Sequence, residues 1–100
     1  MIRFDTDASF SVDVDKSASE RISETKIVNV GRDYRVSVTG NSKEVVGKRK
    51  VIDAHEEIMI RCGNASLLLR ADGSIEMNGR RLDIEQSEAI VAKAGKIDLN

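Results

Sequence analysis

The chain's one histidine, His55, sits in Asp53-Ala54-His55-Glu56-Glu57, where a nitrogen donor and three carboxylates fall within five residues. Such donors ligate divalent metals when the backbone returns several of them to one point. The spacing here is not HExxH, which sets two histidines on one helix face, and His55 occupies a corner of the repeat described below. It is expected to be a surface corner residue, not a ligand. Asp5, Asp7, Asp13 and Asp15 suggest calcium, but two-residue spacing on a strand lays carboxylates along one face, whereas calcium is wrapped by a curved loop. Gly31-Arg32-Asp33, Gly47-Lys48-Arg49 and Gly79-Arg80-Arg81 put charge after glycine, yet none carries GxxxxGK[ST] or leads into a helical pattern. These read as corner charges that pair between chains or meet solvent. Cys62, the single cysteine, has no partner for an intrachain disulfide and is expected to serve as a small covered hydrophobe. With one histidine, no Ser/His/acid or Cys/His constellation can be assembled. The expectation is a protein with no catalytic residues, no cofactor and no metal, and not an enzyme.

The elements that would carry these residues follow a beat of eight. Gly31, Gly47, Gly63, Gly79 and Gly95 are spaced sixteen apart, and the residues midway between them are Thr39, His55, Ala71 and Ser87. Apolar residues two apart precede most of these positions: Val28 and Val30, Val36 and Val38, Ile52 and Ala54, Ile60 and Cys62, with Val46 alone beside Glu44. Residues two apart on a strand share a face, and a glycine-tolerant position lets the backbone turn before the next short strand. The pattern predicts strand, corner, strand, corner, with bulk unwelcome at the corners. A strand of about five residues cannot bury its apolar face within its own block, so stacked repeats, and more than one chain, must supply the core.

Composition agrees. Among 100 residues only Phe4, Phe10 and Tyr34 are aromatic, 33% are charged, and proline is absent, as strands that donate every N–H require. A lone domain of this length buries a modest core at best. The net charge of -1, with acids and bases interspersed, gives no basic footprint for nucleic acid. No stretch reads as a signal peptide or a spanning helix, which predicts a soluble chain made in a reducing cytosol.

In chain order, Ile2, Phe4, Ala8, Phe10, Val12 and Val14 alternate with Arg3, Asp5, Asp7, Ser9, Ser11 and Asp13, predicting one or two strands. Asp15 to Thr25 reads as weak strand, with a short helix as the alternative. Inward residues keep to even numbers through Leu68, and the parity then changes around Leu67 to Leu69. Ala71-Asp72-Gly73 and Asn78-Gly79 are turn signals, Ile75 and Met77 are odd, and Leu82 and Ile84 restore even parity. Glu85 to Asn100 reads as strand over a helical alternative.

ETKIVNVGRDYRVSVTGN resembles the repetitive "ETxxVGxDRxVxVxGN" passages of VgrG proteins, the spikes of bacterial type VI secretion systems, through Glu24, Thr25, Val30, Gly31, Arg32, Asp33, Arg35, Val36, Val38, Gly40 and Asn41. EIMIRCGNASLLLRADGSIEMNG resembles the family's next segment through Ile58, Ile60, Gly63, Ala65, Ser66, Asp72, Gly73, Ile75, Met77 and Gly79. Contractile-phage tail spikes share the architecture. The resemblance implies an all-β fold, a homotrimeric intertwined triple-stranded β-helix or β-prism needle, with residues 1-24 a β segment or neck and 25-100 the spike segment. It also implies a fragment of a longer protein, with Met1 an artificial start. The corners would be Gly31, Gly47, Gly63, Gly79 and Gly95. The trimer core would be Val28, Val30, Val36, Val38, Val46, Ile52, Ile60, Cys62, Leu68 and Ile84.

The implied partners are two further copies, a PAAR-repeat tip protein at the distal end, secreted effectors, and the Hcp tube and baseplate through the preceding part. Contact with a target membrane would be transient, and assembly would occur in a bacterial cytoplasm before export. A monomeric β-solenoid or sandwich binding module is the alternative that alternation alone allows. Glu44, Arg70, Glu76 and Gln86 depart from the pattern by standing at inward places, where they need partners.

Overall fold

The computed structural model describes residues 3–100, so the start of the expected first strand at Ile2 lies outside the described residues. The described chain is all-β, without a helix, and its strands form one antiparallel sheet in sequential order. These are β1 (Glu57–Cys62), β2 (Ala65–Arg70) and β3 (Ile75–Asn78). The chain divides into two units, Met1–Lys43 and Glu44–Asn100.

In the first unit the backbone bends at Asp7-Ala8, Asp15-Lys16, Ser23-Glu24, Gly31-Arg32 and Thr39-Gly40, one bend every eight residues. The second unit continues with bends at Gly47-Lys48 and His55-Glu56 before the sheet begins. Between bends the backbone is extended but unpaired. The strands expected over 3–56 and 80–100 therefore have no ladder within the chain, because each extended piece has no neighbouring strand of its own to bond. The helices considered for Asp15 to Thr25 and for Glu85 to Asn100 do not form; the latter stretch is extended, with bends at Ser87-Glu88 and Gly95.

The sheet is built by its two turns. Gly63-Asn64 links β1 to β2 in a two-residue hairpin with Gly63 at φ +55°, the arrangement in which glycine takes the first central place. Ala71-Asp72-Gly73 links β2 to β3. Gly73 N–H donates to the Arg70 carbonyl and Arg70 N–H to the Ser74 carbonyl, both at 3.0 Å, with Gly73 at φ +93°, which makes a turn followed by a glycine bulge. Asp72 secures it from the side, accepting from the Ser74 N–H at 2.9 Å and from the Ser74 hydroxyl.

The glycine beat divides accordingly. Gly31, Gly47 and Gly95 lie at bends, Gly63 lies in a hairpin turn, and Gly79 follows β3 beside a bend at Arg80, so Asn78-Gly79 is not a tight turn. Only Gly63 and Gly73 have positive φ. A Cβ at Gly31, Gly47 or Gly95 would meet nothing within 4 Å, so within one chain the bends do not themselves exclude bulk. Gly73→Ala should accordingly lower stability by about 1–2 kcal/mol in denaturant melts, while Gly31→Ala changes it little. Equal losses at both positions would contradict the assignment of strain to the bulge.

Candidate functional site

No hydrophobic side chain among the described residues is buried. Val28, Val30, Val36, Val38, Val46, Ile52, Ile60, Cys62 and Ile84 are exposed, and Leu68 is half-buried. The cover expected over Cys62 is thus absent within a single chain. Exposure nevertheless follows the beat: Val14, Ile22, Val30, Val38 and Val46, each just before a bend, are only 46–52% exposed, whereas Val12, Val28 and Val36, two residues before Val14, Val30 and Val38, are 57–69% exposed.

Residues six apart meet across the bends. The Phe4 and Phe10 rings, flanking the bend at Asp7, have centroids 5.7 Å apart and tilt by 40°. Glu20 and Lys26 flank the bend at Ser23 and form an ion pair at 2.7 Å. Glu44 and Lys50 form the same pair across the bend at Gly47. Val28, Val30 and Tyr34 line one depression around the bend at Gly31. The hydrogen bond from Lys26 to Glu20, with the carboxylate's charge, raises the Lys26 ammonium above its ordinary pKa. This i, i+6 pairing was not anticipated, although both ion pairs were present in the sequence at equal spacing.

The sheet gathers a second surface. Its register sets Ile58 beside Leu69 and Ile60 beside Leu67 across β1 and β2, and Leu67 beside Met77 and Leu69 beside Ile75 across β2 and β3. Partners in an antiparallel ladder share a face, so these residues form one apolar face. Its members Ile60, Leu67 and Met77, with Cys62 and Leu82, line an open depression of about 470 Å³. Leu68 does not belong to it. Paired with Met59 and Glu76, Leu68 is on the opposite face, because the two-residue hairpin reverses parity at Gly63-Asn64, before Leu67.

Three of the four polar departures find partners within the chain. Glu44 meets Lys50, and Arg70 meets Glu76 at 3.2 Å on the face that carries Leu68. Shorter-range pairs, Arg3 with Asp5, Asp33 with Arg35 and Arg81 with Asp83, are exposed and contribute little.

His55 stands at a bend, and no three His, Cys, Asp or Glu side chains converge as metal ligands among the described residues. The Asp72 carboxylate is held below its ordinary value, through the Ser74 hydroxyl and then the Ser74 N–H. A lowered carboxylate pKa contributes stability above the unfolded value, near 3.8, and that contribution disappears as pH falls through the folded value. The Ser74 amide should therefore lose its downfield NMR shift and exchange protection below pH 3.8 in the native chain. In Asp72→Asn, which accepts the same bonds without titrating, this pH dependence should vanish. The sequence matches no protein-family model and no curated protein.

Proposed function

We propose that this chain is the β-helical segment of a homotrimeric, cell-puncturing spike in a contractile injection machine of the VgrG or phage-tail type. The observation that carries the reading is the combination of an eight-residue bend period with an apolar stripe of which no residue described is fully buried by its own chain. Extended pieces with unpaired backbone and exposed Val and Ile need strands beside them and a core opposite them, and identical copies supply both. Three copies closing about an axis leave no lateral edge.

In such a needle each eight-residue block outside β1–β3 adds one strand spacing of about 4.8 Å. Compression then loads a continuous ladder and a shared core, and the machine's sheath supplies the work, so no bond-making chemistry is asked of the spike. The two ends of a closed prism remain open, and a PAAR-type protein would cap the distal one, with effectors docked there.

The test is capture. A PAAR-type tip protein should be retained by the immobilised chain, and truncation of residues 90–100 should reduce retention at least tenfold. Equal capture by the truncated chain would remove this end from the docking surface. No capture by either would count against the spike reading. A monomeric binding module would require a buried core, and among the described residues none is present.

A further inference from the structure

We infer that the Glu20–Lys26 and Glu44–Lys50 pairs set the register in which copies of this chain align, acting as charged layers in the mostly apolar stripe between copies. The inference rests on the trimer reading above. A stripe that repeats every eight residues has a defect as an interface: after a slide of one block, apolar residues again oppose apolar residues, so several alignments compete. Something in the stripe must break the repeat.

The residues three before and three after each bend show what does. They are Phe4 and Phe10, Val12 and Ala18, Glu20 and Lys26, Val28 and Tyr34, Val36 and Ser42, Glu44 and Lys50, then Ile52 and Ile58. The first member of each set has the even parity of the stripe, and the two charged sets are 24 residues, or three blocks, apart. Each is already an ion pair within one chain, and each retains substantial exposure. A second copy is the occupant that fits, since a strip bearing both charge signs complements itself when copies align in register. Three neutral pairs then form a ring of alternating charge at each layer.

Any slide of one or two blocks sets Glu20 and Glu44 against Val, Ile or Phe, and sets Lys26 and Lys50 against residues such as Ala18, Tyr34, Ser42 and Ile58, so that the charges leave water with no counter-charge opposite them. Burying a charge without a partner is among the costliest errors a core can contain. A slide of three blocks matches one charged layer and misplaces the other. A single polar layer is known to fix register in coiled coils by the same mechanism, at some cost in stability.

The experiment uses the full chain with Cys62→Ser and a nitroxide at Asn29→Cys, measuring distances between copies by pulsed electron resonance. The parent trimer should give one narrow distance. The variant Glu20→Val, Lys26→Val, Glu44→Val, Lys50→Val should remain trimeric and give a broad or multiple distribution. A trimer of that variant with the parent's single distance overturns the register inference and leaves the spike reading intact. A parent chain that sediments as a monomer overturns the spike reading itself, and this inference with it.

If the fourfold variant fails to assemble, melting temperatures decide. Glu44→Val, which strands Lys50, should melt about 10 °C or more below Glu44→Val with Lys50→Val. Indistinguishable melting of the two would show that the pair faces solvent and overturn the inference.

Discussion

Sedimentation equilibrium of the full chain should return about three times its 11.0 kDa mass, with no folded monomer on dilution. The expectation follows from what one copy leaves uncovered. Most large hydrophobics from Phe4 to Leu99 are about half to nine-tenths exposed, Ile58 and Leu67 to Leu69 being half-buried, and among the described residues the only hydrogen-bonded ladder is the sheet of β1 to β3. Fully covering a Val or Ile side chain stabilises by about 1.5–3 kcal/mol, and ordering each residue costs about as much, so a single chain without a core has nothing to offset that cost. Assembly and folding should therefore be one transition whose midpoint depends on protein concentration. Val36→Asp makes the test sharp. Val36 is 69% exposed in one chain, so a carboxylate there would be harmless to a monomer. In a trimer it places three unpartnered charges in one layer, at several kcal/mol each, and the expected outcome is complete loss of assembly and of far-ultraviolet β signal. A parent chain that is a well-ordered monomer, or a Val36→Asp variant that assembles like the parent, would refute the account.

The second large effect distinguishes neighbouring leucines. Leu67→Ala should destabilise the assembled protein by about 2–3 kcal/mol in denaturant melts, whereas Leu68→Ala should cost less than about 1 kcal/mol. Leu67 lines the depression with Ile60, Met77 and Leu82 and pairs across the sheet with two of them. Leu68 shares its face with Met59 and with the Arg70–Glu76 ion pair, so solvent can fill the space left by truncation. The even-number rule ranks these two residues in the opposite order. A larger loss at Leu68 would restore that rule and reject the face assignment.

The reason the rule fails after Cys62 is specific. Alternation is a property of a continuous strand, and any turn with an even number of loop residues reverses which parity faces a given side. Gly63-Asn64 is such a turn, and from the sequence alone Gly63 was indistinguishable from the corner glycines before it. The three consecutive leucines concealed the change, since one of them satisfies the stripe in either parity. The partners of Glu44, Arg70 and Glu76 were hidden for a related reason: they lie six residues away, a separation that brings side chains together only once the backbone bends or turns between them.

By itself, the amino-acid sequence determined the β class, the eight-residue period of its bends and the scarcity of material for a private core. Each of these is written locally, in side-chain parity, in turn-prone residues and in composition. Tertiary structure alone decided that β1, β2 and β3 pair within the chain, that Leu67 and Leu69, not Leu68, join the face of Ile58 and Ile60, and that Glu20 meets Lys26 as Glu44 meets Lys50. Those outcomes depend on how far the backbone turns at each bend and hairpin, and that angle is set by hydrogen bonds and φ values that residue type constrains only loosely.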